Sequence, residues 1–420
     1  MQHSVSSRSA RHGRLPKRRL QSTLIRGIAL AVAVVVVSVG SVAAFAVEDT
    51  LNSAHHSIHL TDASGHAITA AAVGAHSGAV NILLAGTDTR TGQGGQFDTA
   101  AELAGSSGAG NNDVTMVLHL SADHKHATVI SIPRDLMVPV PACPTSNGET
   151  SPESSAQFNS TLSLGGLSCV VLTAEQLLGI TIPYAAEISF DGVVAMSDAI
   201  GGVPVCLATA VNDPYVGLNL SAGEHTLVGA QALAFVRSRH GVGDGSDLGR
   251  ISDQQQFLSS LLRTSTSAGV LSNPVTLYSL AKAAVSNIEL TDTLDSPTTL
   301  VSIALALKNV PLSQFVFLQY PAETDPTNPN RVIPDPSGVA VLQQALATDT
   351  PVTLTGGTGV ATETVTPSAS ATPSTAASAS ASASSATPTP TATSTAVALP
   401  SNVTGQTAAQ QTCTLGFGTD

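Results

Sequence analysis

A long apolar stretch without charges, near the N-terminus, constrains this chain more than any other feature. Residues 27–47 contain no charged side chain and consist largely of Val and Ala. At about 1.5 Å per residue, a helix of this length spans the roughly 30 Å hydrocarbon core of a bilayer. We therefore expect one transmembrane helix at this place.

The charges around this stretch predict its orientation. All seven Lys and Arg of residues 1–47 lie before it, at Arg8, Arg11, Arg14, Lys17, Arg18, Arg19 and Arg26. The positive-inside rule then places residues 1–26 in the cytoplasm and the rest of the chain outside. The alternative is a cleaved secretory signal, although the stretch exceeds the roughly 7 to 15 apolar residues of such signals. Both interpretations export the body of the protein, and the first predicts a single-pass protein of the cell membrane.

The exported part is acidic, which excludes one class of partner. After residue 47 the chain carries ten Lys and Arg against 29 Asp and Glu. A nucleic-acid-binding protein presents a concentrated basic face to the phosphates, so no nucleic-acid partner is expected.

Four cysteines in an oxidising compartment predict one or two disulfides. Their pairing is left open by the spacing, although Cys143 and Cys169 flank a polar loop that a disulfide would hold closed. Leu415 and Phe417 stand beside Cys413 and suggest that the chain end is tied back by a second disulfide.

Changes in composition divide the chain into five segments. These are a basic cytoplasmic segment at 1–26, the transmembrane helix at 27–47, a polar stalk at 48–78, a folded domain at 79–350 and a low-complexity tail at 351–420. The tail consists almost entirely of Ala, Ser, Thr and Pro between residues 355 and 400, so we expect it to be disordered. The stalk contains five scattered histidines in no regular metal-binding pattern and is interpreted as a solvated linker.

Strands and helices alternate through the folded domain. Short apolar runs predict strands at 79–85, 114–120, 127–132, 203–207 and 315–320. Apolar residues at every third or fourth position predict helices at 167–178, 190–200, 227–236, 251–262, 275–284, 300–307 and 339–345. The expected fold is a layered α-β-α domain with a mixed central sheet flanked by helices.

Half of the cations of the exported part are arginines in three short segments. These are Arg90 in G-T-D-T-R, Arg134 in S-I-P-R-D, and Arg237, Arg239 and Arg250 in V-R-S-R-H…G-R. A guanidinium group binds phosphate or carboxylate oxygens with two parallel hydrogen bonds. Convergence of these arginines would suit a pyrophosphate, whereas structural salt bridges to the many acids are the alternative.

Two carboxylates accompany the arginines. Asp88 precedes Arg90 by two residues, and Asp113 stands just ahead of the second predicted strand. Such an oxygen-only pair suits Mg²⁺ (or Mn²⁺), which binds through one or two carboxylates plus phosphate oxygens of a substrate. Capping of turns by Asp is the alternative interpretation.

Together these segments resemble the LytR-CpsA-Psr family. The resemblance covers about residues 79–350 and rests on D-T-R at 88–90, N-N-D-V-T at 111–115, S-I-P-R-D at 131–135, Q-F-N at 157–159 with Gly165 and Gly166, F-D-G-V-V at 190–194, D-A-I-G-G-V-P at 198–204, and V-R-S-R-H at 236–240 followed by D-L-G-R at 247–250. It implies a membrane enzyme that transfers a glycopolymer from a polyprenyl-pyrophosphate carrier to a muramic acid hydroxyl of peptidoglycan, as a phosphodiester. An apolar cleft between sheet and helices would hold the prenyl chain.

The resemblance also implies roles for individual residues. Asp88 and Asp113 would hold the metal, and the pyrophosphate would be bound by Arg90, Arg134, Arg237, Arg239 and Arg250. Arg134, Arg237 and Arg239 would also act in catalysis, and Asp88 and Asp247 are the two candidates for deprotonating the acceptor. The glycopolymer itself is not implied.

Three positions depart from the family pattern, and each lowers the positive charge. Asn111 and Asp253 stand where members often carry Arg, and Gln157 stands where many carry Lys. Asp253 either weakens binding of the donor or points from its helix into solvent.

Two alternative functions use the same residues. A pyrophosphatase would direct water instead of a sugar hydroxyl at the carrier lipid. A lipid-binding regulatory protein would keep the cleft without the chemistry, although residues 1–26 are too short to form a DNA-binding domain.

Overall fold

A computed structural model describes most of the predicted folded domain. The described residues are 57–61, 66–67, 78–89, 110–145, 147–267, 288–294, 297–365 and 396–418. They all belong to the unit Ser53–Asp420. The predicted transmembrane helix, Arg90 and the predicted helix at 275–284 lie outside the described residues.

A mixed sheet forms the centre of the described structure. The strands, in chain order, are β1 (Ser57–Ile58), β2 (Val80–Thr87), β3 (Asn112–Leu120), β4 (Ala127–Ile132), β5 (Met137–Val140), β6 (Pro144–Thr145), β7 (Gly148–Glu149), β8 (Glu153–Gln157), β9 (Tyr184–Ile188), β10 (Val203–Leu207), β11 (Val211–Asp213), β12 (Leu218–Leu220), β13 (Gly223–Leu227), β14 (Ile288–Thr291), β15 (Phe315–Gln319), β16 (Ala322–Asp325), β17 (Asn328–Pro334), β18 (Val352–Thr353), β19 (Thr362–Thr364), β20 (Val397–Ala398), β21 (Gly405–Thr407) and β22 (Thr412–Thr414). The central sheet has the order β1-β14-β9-β2-β3-β4-β15-β21.

The sheet combines parallel and antiparallel pairs, as the sequence predicts. β3 runs antiparallel to both β2 and β4, whereas β9 pairs with β2 and β15 with β4 in parallel. Consequently the ends of β2, β4 and β9 and the beginning of β3 lie at one edge of the sheet. β9 was not predicted, because Y-A-A-E-I has neither the alternation nor the branched side chains of a typical strand.

Helices cover both faces of the sheet. They are α1 (Thr161–Leu178), α2 (Phe190–Ala199), α3 (Gly229–Arg237), α4 (Asp247–Ser267), α5 (Pro297–Lys308) and α6 (Pro336–Ala347). One face packs against α1 and α6, and the other against α4 and α5. α4 also packs against a second sheet of order β13-β10-β22-β19. The layered α/β architecture predicted from the sequence is therefore confirmed.

The most apolar helix in the described residues belongs to the core. The segment Phe158–Leu178 is long and apolar enough to cross a membrane, but 67% of it is buried inside the protein. Near its start the backbone leaves helical geometry at Gly165 and Gly166. A Cβ atom on Gly165 would lie 2.7 Å from the Cβ of Cys143. This close approach accompanies the disulfide between Cys143 and Cys169, which closes the polar loop as suggested.

The low-complexity tail at 351–420, which was predicted to be disordered between about 355 and 400, contains ordered segments. Residues 352–365 and 396–418 contain β18 to β22, and β22 pairs with both β10 and β19. The disulfide between Cys206 and Cys413 joins β22 to β10, which confirms that the chain end is tied back. Leu399 and Val403 are buried in the core on one face of the central sheet, and Cys413 is buried within β22. The intervening residues 366–395 lie outside the described part of the chain.

Candidate active site

Charged side chains converge at the edge of the sheet where β2, β4 and β9 end. Seven of them form what we call the ion cluster: Asp113, Arg134, Asp135, Arg239, Asp247, Arg250 and Arg331. Asp113 is the second residue of β3, and Arg134 follows shortly after the end of β4. Because these two strands are antiparallel neighbours, with Thr115 opposite Ile132, both side chains emerge at the same edge.

The inner part of the ion cluster surrounds Asp113. Arg134 Nη1 donates to Asp113 Oδ1 at 2.5 Å, and Arg250 Nη1 lies 3.8 Å from Asp113 Oδ2. Arg250 Nη2 also pairs with Asp247 Oδ1 at 2.5 Å and donates to the backbone carbonyl of Asp113. The backbone N–H of Arg134 donates to Asp247 Oδ2 at 3.1 Å. Asp247 therefore connects the start of α4 to the loop that carries Arg134.

The outer part of the ion cluster surrounds Asp135. Its Oδ1 accepts hydrogen bonds from Gln157 at 2.9 Å and from Arg331 at 3.1 Å. Arg134 Nε and Arg239 Nη2 lie 3.8 and 4.0 Å from its carboxylate oxygens. Three guanidinium groups thus share one carboxylate, which leaves an excess of positive charge that suits an anion.

Two buried N–H groups of the ion cluster have no acceptor within the described residues. These are the Nε–H groups of Arg134 and Arg250. A buried donor without a partner is unfavourable, and an anionic ligand would supply the missing acceptor.

Asp113 stands among other carboxylates. Burial raises its pKa, and the charges of Asp88 and Asp247 raise it further, whereas Arg250 and Arg134 lower it. Asp88 Oδ1 in turn accepts from the backbone N–H of Asn111 at 2.7 Å, which fixes it beside the start of β3. A bound cation would relieve the repulsion between these carboxylates.

The donor set around Asp113 fits Mg²⁺. Asp88 and Asp113 supply only oxygen atoms, which this hard cation prefers. No group of three or more His, Cys, Asp or Glu side chains in the described residues is arranged as a metal site. A cation here would therefore depend on one or two carboxylates and on oxygens of the ligand, as is usual for Mg²⁺.

An apolar cavity of about 290 Å³ opens beside the ion cluster. Its apolar lining comes from the sheet and from α2, α3 and α4: Leu84, Val114, Met116, Ile188, Phe190, Val193, Met196, Ile200, Val203, Val216, Leu233, Val236, Phe257, Leu258, Leu261 and Ile288. Charged side chains in its wall are Asp113, Arg237 and Arg250. Asp113 and Arg250 thus belong to the cavity and to the ion cluster at once.

Arg237 is held against the cavity by an aromatic ring. Its guanidinium carbon lies 4.1 Å from the centre of the Phe190 ring, a cation–π contact. Phe190 begins α2 and is buried against Leu233 of α3. Arg237 therefore stands at the cavity wall.

A buried carboxylate organises the segment that carries Arg239. Asp213 Oδ2 accepts from Ser238 Oγ and from the backbone N–H groups of Arg239, His240 and Gly241, at 2.9 to 3.2 Å. Its Oδ1 accepts from the N–H of Tyr215. These hydrogen bonds lower the pKa of Asp213, although burial opposes them. The carboxylate is therefore ionised and fixes the position of Arg239.

Two of the three departures from the family pattern have structural explanations. Gln157 donates to Asp135, whereas residue 111 contacts Asp88 through its backbone alone, which does not depend on the Asn side chain. Asp253 neither contacts the ion cluster nor points into solvent: it is fully buried, and its Oδ1 accepts from Thr414 Oγ1 of β22. Burial raises its pKa well above the usual value. Both sequence interpretations of Asp253 were wrong, because its partner Thr414 lies 161 positions further along the chain and nothing in the sequence around Asp253 indicates the contact.

The structure brings most of the predicted site residues together. The ion cluster contains Arg134, Arg239, Arg250, Asp113 and Asp247. Arg237 lines the cavity, and the charge of Asp88 raises the pKa of Asp113. Three further residues were missed: Asp135, Asp213 and Arg331. Two sequence features could have indicated two of these residues: Asp135 directly follows Arg134, and Arg331 is one of the few cations of the exported part.

Fold and site define a class of protein. A mixed α/β domain carries an apolar cavity whose mouth leads to paired guanidinium and carboxylate groups, an arrangement that fits an amphiphile with an anionic head. The model of the LytR_cpsA_psr family matches residues 35–347. The chain belongs to this family.

Known relatives agree with this assignment. The chain is 33% identical to the cell wall biosynthesis protein LcpA of Corynebacterium glutamicum over 59% of its own length and 51% of that protein's. It is 28% identical to the polyisoprenyl-teichoic acid–peptidoglycan teichoic acid transferase TagT of Bacillus subtilis, over 61% of this chain and 75% of TagT. The aligned part spans about half of the length of LcpA and of the probable cell wall biosynthesis protein LcpB from the same organism.

A solved structure shows the same fold. Protein gbs0355 of Streptococcus agalactiae superposes with a TM-score of 0.53 at 22% sequence identity, over 65% of this chain and 88% of that one. At this level of identity the comparison concerns the fold alone.

Proposed function

We propose that the protein transfers a glycopolymer from a polyprenyl-pyrophosphate carrier to a hydroxyl group of peptidoglycan. One observation carries the proposal: the apolar cavity and the ion cluster share Asp113 and Arg250. A prenyl chain in the cavity therefore places its diphosphate directly among the guanidinium groups. The similarity to TagT, whose name describes such a transfer, supports the same conclusion.

The two parts of the donor would be bound by different forces. Burial of the prenyl chain against Leu84, Phe190 and Phe257 contributes through the apolar area removed from water. The diphosphate is held by Arg134, Arg237, Arg239 and Arg250 through charge-assisted hydrogen bonds. The buried Nε–H groups of Arg134 and Arg250 then gain the acceptors that they otherwise lack.

The transfer itself exchanges one phosphorus–oxygen bond for another. The acceptor hydroxyl oxygen attacks the phosphorus that carries the glycan, and the bond from this phosphorus to the bridging oxygen breaks. Polyprenyl phosphate leaves with the bridging oxygen, and the glycan becomes linked to peptidoglycan as a phosphodiester. Negative charge develops on the bridging and non-bridging oxygens, and guanidinium groups already fixed by carboxylates stabilise it with little reorganisation.

Asp88 and Asp113 would hold a magnesium or manganese ion. Such an ion, when bound, neutralises charge on the phosphate oxygens and orients them. Asp113 also orients Arg134 and Arg250 through its ion pairs.

The proton of the acceptor hydroxyl requires a base. Asp247 is less suited to this role, because its two oxygens already face Arg250 and the backbone N–H of Arg134. Asp88 Oδ1 accepts a backbone hydrogen bond from Asn111, and its charge raises the pKa of Asp113. Asp88 and Asp247 are the two candidates for accepting the proton.

The remaining parts of the chain would place this site at the outer surface of the cell membrane. Residues 27–47 would form the anchor, and residues 1–26 would stay in the cytoplasm. The segment 48–78 is not a linker throughout, as was predicted, because Ser57–Ile58 form β1 beside β14 and Leu60 is buried in the core.

A reconstituted transfer assay tests the proposal. Full-length protein in detergent micelles receives a polyprenyl-pyrophosphate glycan with a labelled sugar, MgCl₂ and peptidoglycan strands. We expect release of polyprenyl phosphate together with labelled peptidoglycan. Release without label on peptidoglycan would instead identify a pyrophosphatase. If neither product forms although the carrier lipid binds, a lipid-binding regulatory protein is indicated.

A further inference from the structure

Two exposed aromatic rings stand beside the ion cluster. The side chains of Tyr215 and Phe417 are 78% and 60% exposed, the largest exposures of apolar side chains in the described residues. The whole sequence contains only four Tyr, nine Phe and no Trp, so exposed rings are a scarce feature here. Aromatic rings bury much apolar area when they find a partner, which makes such exposure informative.

Each ring contacts a residue that is linked directly to Arg239, either as its neighbour in the chain or by a hydrogen bond. The ring of Tyr215 packs against that of His240, which directly follows Arg239, with centroids 4.4 Å apart. On the other side, Arg239 Nε donates to the carbonyl of Gly245, and the Phe417 ring lies against Gly245, where an added Cβ would be 3.0 Å from its Cε2. The two rings thus flank the segment 239–245.

This arrangement is held in place by hydrogen bonds on both sides. The Asp213 carboxylate binds the backbone N–H groups of Tyr215, Arg239 and His240. The backbone N–H of Phe417 donates to the carbonyl of Gly241 at 2.9 Å. The backbone segments that carry the two rings are therefore fixed relative to that of Arg239.

The chemistry of the surface fits a sugar chain better than a protein partner. A stable protein interface buries a contiguous apolar core. Here two separate rings stand beside a segment in which Gly241, Val242 and Gly243 are buried, whereas the polar side chains of His240 and Asp244 are exposed. The electron-rich face of an aromatic ring attracts the C–H face of a pyranose, while neighbouring polar groups bind its hydroxyls.

We infer that Tyr215 and Phe417 form a glycan-binding platform, which holds the peptidoglycan acceptor strand beside Arg239. The inference deepens the proposed function, because the ligand is its acceptor. The platform faces solvent, where a long strand can pass, whereas the donor occupies the cavity and the inner ion cluster. The bound strand then presents its hydroxyl next to the guanidinium that binds the diphosphate.

Binding measurements without turnover test the platform. Full-length protein in detergent micelles is titrated with a tetrasaccharide of alternating N-acetylglucosamine and N-acetylmuramic acid, and separately with geranylgeranyl diphosphate. Tyr215→Ala and Phe417→Ala should each weaken tetrasaccharide binding about three- to tenfold, the range expected for a lost stacking contact. Tyr215→Phe, which keeps the ring, should stay within about twofold of the wild type.

Controls separate this platform from other effects. Val228→Ala removes an exposed apolar side chain at the other end of α3 and should change neither affinity. All of the variants should bind geranylgeranyl diphosphate like the wild type.

Several results would overturn the platform: no measurable tetrasaccharide binding by the wild type, unchanged tetrasaccharide binding by both alanine variants, or parallel weakening of geranylgeranyl diphosphate. A loss of affinity confined to a glycosylated prenyl diphosphate would also overturn it, since the rings would then serve the donor. Failure of the proposed function is recognised differently, by absence of diphosphate binding or transfer in the wild type.

Discussion

The ion cluster and the apolar cavity are neighbours, but they are built in opposite ways. The cluster collects seven side chains from distant parts of the sequence, between Asp113 and Arg331, and each charge depends on one to three partners. The cavity is lined by many apolar side chains, most of them from α2, α3, α4 and the adjacent strands. A single substitution therefore removes a large part of the cluster's function but only a small part of the cavity's.

The difference also concerns what burial does in each region. Charges in the cluster are tolerated in a partly buried site because they are paired, and removal of one partner leaves the other without compensation. Apolar side chains in the cavity gain from contact with a hydrocarbon chain in proportion to the area covered. Ligand binding and transfer should thus respond differently in the two regions to the loss of a side chain, to a larger side chain in the cavity and to a change of pH.

The largest effect is expected at Arg250, which is 5% exposed and pairs with both Asp113 and Asp247. Arg250→Ala should abolish transfer and lower the free energy of unfolding by about 3–5 kcal/mol, because the buried Asp247 loses its ion pair and Asp113 keeps only that with Arg134. Urea denaturation and the transfer assay measure the two effects. Arg239→Ala is the matched control: transfer should fall about 100-fold or more, with stability changed by less than about 1 kcal/mol. Equal destabilisation by both substitutions would contradict the account.

A smaller effect is expected when the cavity is filled. Val236 lines it from α3, and Val236→Trp should weaken geranylgeranyl diphosphate binding about tenfold, since each methylene group that is excluded costs about 0.8 kcal/mol. Binding of inorganic pyrophosphate, which needs only the ion cluster, should stay unchanged. Val236→Ala, which leaves room for the chain, serves as the control. If the Trp variant lost affinity for both ligands equally, the two regions would not be separable.

Acidification should affect only the cluster. Burial, Asp88 and Asp247 raise the pKa of Asp113, so this carboxyl is protonated at a higher pH than an ordinary Asp. Transfer should then fall by up to about tenfold per pH unit below that pKa, while binding of a neutral prenyl alcohol stays constant.

The same raised pKa has a defined effect on stability. Since the folded state binds this proton more tightly than the unfolded state, the stabilisation is complete below the ordinary pKa and is lost as the pH rises through the folded pKa. Asp113→Asn should remove this contribution, whereas Asp123→Asn, in the exposed turn between β3 and β4, should not. If the transfer activity of the wild type changed with pH in acid in the same way as that of the Asp113→Asn variant, the role of Asp113 would be refuted.

The smallest effect is expected at Phe190, which belongs to the cavity and also holds Arg237. Phe190→Leu preserves an apolar wall but removes the ring face, so transfer should fall about two- to fivefold, the value of a cation–π contact. Affinity for geranylgeranyl diphosphate should change less than twofold. Phe190→Tyr should restore transfer; a loss of chain binding without a loss of transfer would assign Phe190 to the cavity alone.

The regular elements and the motif arginines could be predicted from sequence because their signals are local. The strands at β2, β3 and β4 are continuous apolar runs, and Arg134 and Asp113 emerge where those strands meet one edge. Residues that act through distant partners gave no such signal. Arg331 lies in the β16–β17 hairpin, almost 200 positions from Asp135, and nothing in its neighbourhood indicates that contact.

The chain end shows why composition alone misleads. A run of Ala, Ser, Thr and Pro between residues 355 and 400 predicts disorder, but Thr362–Thr364 and Val397–Ala398 at its two ends form strands that pair with β22 and β18. The buried Asp253 could be interpreted only once its partner Thr414 was in place. Pairing over more than 150 positions is a property of the fold, not of either segment.

A crystal structure of the protein with geranylgeranyl diphosphate tests the central claim most directly. The account predicts the hydrocarbon chain between α2, α3 and α4, in contact with Phe190 and Phe257, and the diphosphate within hydrogen-bonding distance of Arg239 and Arg250. A chain bound on another surface, or a diphosphate that contacts none of the arginines of the ion cluster, would contradict it.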